Sequence, residues 1–246
     1  ELEAARRTHL SPGLARFAGW FYAAIAGPFL DFFRRYKELS IAILVMVAVY
    51  RISDIAMGVM ANPFYLDFMG FSKTEVADVT KIFGFFMTIA GSLAGGVLVV
   101  RYGTRKILLV GAIMTAATNL LFVFLAQYPP NLITLAAVVS ADNLSGGIAN
   151  VALIAWLSSM TSASFTATQY ALFSSLMTLP GKFLGGFSGM VVAGFGYAEF
   201  FLVAGLMGIP AILLALFLIR QGDRLDALAP DHSGNGSVDA GQTASG

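Results

Sequence analysis

Long apolar runs separated by short charged stretches set the pattern of this chain. Six of the runs are long enough to cross a bilayer, at about 41–66, 80–100, 107–126, 132–158, 168–193 and 199–219. Each approaches or exceeds the roughly 20 residues that a helical rise needs to span the hydrocarbon core. Backbone polar groups in lipid must pair within their own segment, and no alternating ten-residue strands are seen, so the runs predict six transmembrane helices rather than a barrel. Residues 1–40 read as a linker whose "FAGWFYAAIAGPFL" portion is too short to span and suits the interface. Residues 220–246, rich in Gly, Ser, Asp and Ala, read as a disordered tail.

Composition agrees. The 246 residues are 57% hydrophobic and 12% charged, with a mean hydropathy of +0.77, against about 25% charge in an ordinary soluble domain. The net charge of +1 gives no electrostatic argument for nucleic acid. With no cysteine there is no disulfide, thiolate or cysteine-ligated metal site. The sequence contains no nucleophile–His–Asp set, phosphate loop or metal cluster, so neither an enzyme nor a cofactor is expected. The chain opens with Glu1 and no signal-peptide pattern, and it reads as a piece of something larger.

Lys and Arg supply the orientation. Arg34, Arg35 and Lys37 precede the first span, Arg101, Arg105 and Lys106 join the second to the third, and Arg220 and Arg224 follow the sixth. With six spans these clusters fall on one side, which the positive-inside rule assigns to the cytoplasm, placing both chain ends there.

Several ionic and polar residues interrupt the spans. Arg51 and Asp54 lie i to i+3 and share a helix face. A lone charge at mid-bilayer costs on the order of 3 kcal/mol, so the pair must face protein or a wet cavity. It either locks helix packing or lines a solute path, with Asp54 exchanging protons or partners. Asp142 and Asn143 sit midway along the fourth span; Asp142 is a candidate proton site or a static partner for a cation. Lys182 follows Pro180 and Gly181 in the fifth span, where a helix break is expected. It is a candidate anion contact, or else a structural partner for Asp142 or Asp54. Lys81 opens the second span, where it snorkels or contacts substrate. Asn119, Asn150 and Gln169 suit interhelical hydrogen bonds, and Gln169 is carried as a substrate contact as well. The Gly181, Gly185 and Gly189 stripe suits close helix packing.

"GGVLVVRYGTRK" resembles the loop motif of the major facilitator superfamily through Gly96, Arg101, Gly103, Arg105 and Lys106, with Val100 where that motif has an acid. The blocks "GPFLDFFRR", "YRISDIAMG", "GFSKTEVADVTKIFG", "TNLLF", "ADNLSGGIANVALIAWLSSM" and "FTATQYALFSSL" resemble, in order, the C-terminal half of AmpG-type muropeptide permeases over residues 27–219. Asp142 stands where that family often has Glu, and Lys182 where it often has Arg, so charge is kept while reach or donor geometry changes. The resemblance implies an all-α integral membrane bundle, residues 41–219, made of two inverted triplets and forming one half of a twelve-helix carrier. It further implies a bacterial inner-membrane location, import of anhydro-muropeptides driven by a proton gradient without a cofactor, and a six-helix N-terminal partner. Substrate binding would fall to Lys182, Asp142, Asn143, Arg51, Lys81 and Gln169, and proton coupling to Asp54 and Asp142. A carrier of another sugar conjugate or organic anion, and a non-transporting membrane sensor or assembly module, remain as alternatives.

Overall fold

A computed structural model describes residues 27–161 and 166–228, together with the isolated positions Arg16, Gly19 and Tyr22. All elements among the described residues are helical. A short helix, α1 (Gly27–Tyr36), precedes six long ones: α2 (Leu39–Phe68), α3 (Lys73–Tyr102), α4 (Thr104–Gln127), α5 (Leu132–Met160), α6 (Ala167–Phe195) and α7 (Tyr197–Arg220). These are the six predicted spans, most of them longer at the ends than the apolar pattern suggests. A last helix, α8 (Gly222–Leu228), follows.

Local chemistry sets the ends. Ser72 and Glu75 form a reciprocal capping box that starts α3 about two turns before the apolar run. Gly103, at φ +88°, ends α3 and opens α4 with a single residue between them, a backbone region that a side chain disfavours. Asn131 caps α5 by accepting hydrogen bonds from the Ile133 and Thr134 amides.

The long helices are not straight. α2 loosens at Arg51, whose backbone (φ −106°, ψ 6°) leaves the helical region, and again after Pro63, where Phe64–Phe68 forms a π turn. Val79–Gly84 in α3 is a second π stretch. In α6 the expected break at Pro180 does not occur. The helix runs through it to Gly185 and interrupts at Gly186 and Phe187, where the Gly186 amide is shared between the Lys182 and Phe183 carbonyls. One proline removes one amide donor, whereas the adjacent Gly185 and Gly186 cheapen a departure from helical backbone.

α5 lies at the centre and packs along both α3 and α4; α7 crosses α4, and α6 lies on α2. The α3–α5 crossing is close. A Cβ on Gly147 would sit 2.7 Å from the Thr88 carbonyl oxygen, and one on Gly91 would collide with the Leu144 carbonyl. The glycine stripe of α6 faces α2, with Gly181 and Gly185 against Ile55 and Val59, in keeping with its packing role.

Two apolar layers result. At the basic end Phe32, Tyr36, Ile43, Met46, Leu108, Leu153, Trp156, Phe173, Leu218 and Leu225 pack together. At the opposite end Phe64, Tyr65, Phe122, Leu135 and Phe201 form a second cluster. α1 belongs to the first layer: the Phe32 ring meets Phe173 edge-on, and the Tyr36 hydroxyl donates to the Met160 carbonyl at 3.2 Å. Burial pushes the Tyr36 phenol up to about 12, so it remains a donor. Of the stretch 17–30 read as interfacial, residues 27–30 belong to α1, and the rest lies almost wholly outside the described residues. The tail expected to be disordered from Gln221 is helical through Leu228, because Leu225 is buried and Asp226 is ion-paired; residues 229–246 lie outside the described ones.

Candidate functional site

Between the two apolar layers runs a belt of polar side chains at mid-depth. Arg51 and Asp54 come from the loosened middle of α2. Thr88 and Ser92 come from α3, and Asp142, Asn143, Gly146, Gly147 and Asn150 from one face of α5. Together they line a cavity of about 180 Å³. The small residues on α5 leave the space, and the departure of Arg51 from helical backbone sets its side chain between α2 and α5.

Arg51 bridges two helices. One guanidinium nitrogen, Nη1, donates to Asn150 Oδ1 at 3.0 Å, and the other, Nη2, donates to Asp54 Oδ2 at 2.5 Å. The Arg51 and Asp54 side chains keep 27% and 20% of their surface, so the pair is not sealed in a dry contact. A planar fork that holds two acceptors on different helices fixes their relative position while leaving a charge at the cavity wall.

Asp142 is held differently. Oδ1 accepts from the Thr118 hydroxyl at 3.1 Å, and Thr118 also approaches Ser145 at 3.2 Å. Among the described residues no Lys or Arg lies within ion-pairing distance of Asp142, so the static-partner reading has no cation behind it. Asn143 donates to the Val139 carbonyl at 2.8 Å and accepts from Thr88 at 3.0 Å, tying α3 to α5 beside the cavity. Behind the belt, Asn119 donates to Ser53, whose hydroxyl donates to the Ala204 carbonyl at 2.5 Å; this chain joins α4, α2 and α7 in the dry interior.

Four of the predicted residues thus come together: Arg51, Asp54, Asp142 and Asn143. Three others do not line the cavity. Lys182 is exposed on α6 and, among the described residues, has no ion pair with Asp142 or Asp54. Lys81 is exposed on the π stretch of α3, two turns inside the helix rather than at its start. Gln169 lies apart from the cavity: it is buried at the basic end, where its amide donates to the Pro28 carbonyl at 3.0 Å and to Asp31 at 3.1 Å. The family-like "ATQYAL" block therefore receives α1 there and does not contribute Gln169 to the cavity wall. Thr88 and Ser92 were missed, although their i, i+4 spacing on an apolar span was a readable signal. Asn150 was read only as a packing residue; it lies a turn and a helical repeat beyond Asn143 on the same face.

The loop motif gathers at the basic end. Arg101 lies over the Tyr102 ring, 5.6 Å from its centroid, and Lys106 is exposed. Arg105 is held bidentately by Asp226 of α8, at 2.8 Å for each contact. An acid absent from the loop at Val100 has a counterpart on α8.

Residues 39–238 match the family model of the Major Facilitator Superfamily. The chain is 31% identical over 202 residues to the Putative transporter AmpG 4 of Rickettsia felis, covering 82% of this chain and 48% of that protein. It is 31% identical over 198 residues to the Anhydromuropeptide permease of Escherichia coli K12, covering 80% and 40% respectively. It is 34% identical over 176 residues to the Putative transporter AmpG 1 of Rickettsia bellii, covering 72% and 43%. The chain spans less than half the length of these relatives, all of which carry transporter or permease names. Six apolar spans folded around a mid-depth polar belt, matched by the family model over four-fifths of the sequence, place this chain in the major facilitator superfamily, among relatives of AmpG type.

Proposed function

We propose that this chain forms the C-terminal six-helix half of a proton-driven permease that imports anhydro-muropeptides across the bacterial inner membrane, with both its ends cytoplasmic. The observation that carries the reading is the mid-depth cavity walled by an interhelical Arg51–Asp54–Asn150 cluster and by Asp142, which has no cation partner among the described residues. Ionic groups in hydrocarbon are tolerated where they face a wet path, and such a path is what a carrier needs. The permease name of a 31% identical relative supports the substrate class.

A site for a drug-sized ligand occupies about 300–1,000 Å³. The 180 Å³ here is one wall of such a chamber, with a second six-helix bundle supplying the other. The burial of the helices supports this. Only 17% of the most apolar stretch is buried in α3 and in α6, against 44% in α2 and 39% in α5. α3 and α6 hold corresponding places in the two inverted triplets, and both are left short of neighbours. In the working protein Arg51 would attract a peptide carboxylate of the substrate in exchange with Asp54. Asp142 would carry the proton, and Lys182 would add an anion contact from α6. The proton gradient is the only energy source required, and no cofactor enters.

Uptake of radiolabelled anhydro-muropeptide into cells expressing the protein, with and without a protonophore, tests the proposal. Accumulation that collapses with the protonophore is expected. Accumulation indifferent to it would remove the proton coupling. No uptake beside robust uptake of another sugar conjugate or organic anion would remove the substrate.

A further inference from the structure

Asn150 lies on the cavity face of α5, one turn beyond Gly146 and two beyond Asn143. The wall there is open, since a Cβ on Gly146 would meet nothing within 4 Å. The Asn150 side chain is uncharged, and its Oδ1 accepts from Arg51 Nη1 at 3.0 Å, reaching across to α2.

A second arginine–aspartate pair in the same chain shows what Asn150 changes. Arg105 gives both of its terminal nitrogens to Asp226, each at 2.8 Å, the fork-to-fork arrangement common between guanidinium and carboxylate. Arg51 gives Asp54 only one, Nη2 at 2.5 Å, because Nη1 is committed to Asn150. Asn150 therefore splits the fork. An acceptor without charge holds the guanidinium against α5 without neutralising it, and a single hydrogen bond keeps Asp54 in place. A guanidinium has five N–H donors, and Arg51 uses two of them among the described residues.

We propose that Asn150 is a positioning residue that keeps Arg51 exchangeable, so that a solute carboxylate replaces Asp54 on the guanidinium while Asn150 retains Arg51 at the cavity wall. This role rests on the transport reading above and gives it a specificity: the site selects a carboxylate over an uncharged amide of the same shape. Without the Asn150 oxygen, Nη1 is free to turn to Asp54. The pair then closes as Arg105 and Asp226 do, and an incoming carboxylate has two bonds to displace in place of one. With a carboxylate at position 150, Arg51 is saturated by two acids and the cavity gains a negative charge.

The test compares two probes by their initial uptake rates in cells expressing the protein: anhydro-muropeptide with its stem-peptide carboxyl groups free, and the same molecule with them converted to carboxamides. The wild type is expected to favour the free acid about tenfold in kcat/KM, the scale of one charge-assisted contact. Asn150→Leu, close to Asn in shape and uncharged, is expected to bring the two probes within about twofold of each other, through a raised KM for the acid. Asn150→Asp keeps an acceptor for Arg51, and with it the link between α2 and α5, so it serves if the leucine variant does not reach the membrane; it is expected to abolish or reverse the preference. A residue that only packs would change uptake of both probes alike. A tenfold preference retained in either variant, at wild-type amounts of protein by immunoblot, overturns the role of Asn150. Equal uptake of the two probes by the wild type overturns the carboxylate as the group that Arg51 receives, while leaving muropeptide transport standing. Uptake of neither probe by the wild type overturns the transport reading and this role with it.

Discussion

At the residue scale the side chains that matter are those whose partners lie on another helix. Arg51 reaches Asp54 and Asn150 with different guanidinium nitrogens, a geometry that an ammonium cannot reproduce. Arg51→Lys is therefore expected to lower uptake by about tenfold, the loss of one charge-assisted contact, while the amount of protein in the membrane stays within twofold by immunoblot. Uptake at the wild-type rate would mean that Arg51 only packs. Asp142→Asn keeps the shape of the side chain and an oxygen for Thr118 to donate to, but cannot take up and release a proton. It is expected to retain solute exchange between the two sides of a vesicle while losing accumulation driven by a pH gradient, measured in the same preparation; accumulation at the wild-type level would assign the proton elsewhere. Arg51, Asp54 and Asp142 were legible in the sequence because charge in an apolar span is rare and has to be accounted for. The place of Gln169 was not legible, because a polar residue in a span carries no sign of its depth or of which neighbour it meets; Pro28 and Asp31, to which its amide donates, lie some 140 positions earlier in the chain.

At the scale of elements, crossings and caps decide. α3 and α5 approach so closely at Gly91 and Gly147 that a methyl group there would overlap backbone, whereas a Cβ on Gly58 would meet nothing within 4 Å. Gly147→Ala is expected to cost about 1–3 kcal/mol by overpacking and to lower the thermal midpoint in detergent, with Gly58→Ala close to neutral; equal midpoints would show that the crossing can spread freely. α8 depends on a different force. The Arg105 guanidinium holds the Asp226 carboxyl below the usual carboxylate range. A depressed pKa means that the pair stabilises α8 fully above the ordinary Asp range and loses that contribution as the pH falls through the lowered value. The pair is solvent-accessible, so its worth is roughly 0.5–1 kcal/mol. Tryptic cleavage after Arg224 is expected to be faster in Asp226→Asn than in the wild type at neutral pH, and the protection factors of the 222–228 amides, taken relative to the intrinsic exchange rate at each pH, are expected to fall as the pH is taken below the carboxylate range. Protection that does not change with pH would leave Leu225 burial as the sole anchor. The six spans were readable from hydropathy alone, since bilayer thickness fixes their length. The break in α6 was not, because a proline marks a missing donor but the backbone departs from helix wherever the cost is lowest, here at Gly185–Gly186. Nor was α8, since its stability comes from one buried leucine and an ion pair to a loop more than 100 residues earlier.

At the scale of the whole molecule the arrangement is a sandwich, with apolar packing at both ends and a polar belt between. The interior half of that belt, Ser53–Asn119–Ala204, ties helices together and needs no water. The cavity half, from Arg51 to Asn143, keeps paired charge beside open volume, an arrangement that hydration or a bound solute would stabilise at the depth where it sits. Water should therefore reach the wall of the cavity but not the outer surface of the bundle. The absence of native cysteine makes the point directly testable. Ser92 lines the cavity without a side-chain hydrogen bond of its own among the described residues, and Leu213 is 60% exposed on the apolar outer side of α7. Ser92→Cys is expected to react with a charged, water-soluble maleimide in intact membranes, and under the proposed function a muropeptide is expected to slow that reaction. Leu213→Cys, surrounded by acyl chains, is expected to stay unlabelled until detergent is added. Equal protection of both positions would place Arg51, Asp54 and Asp142 in a dry bundle, and with the water gone the physical reason for reading the belt as a transport path goes too.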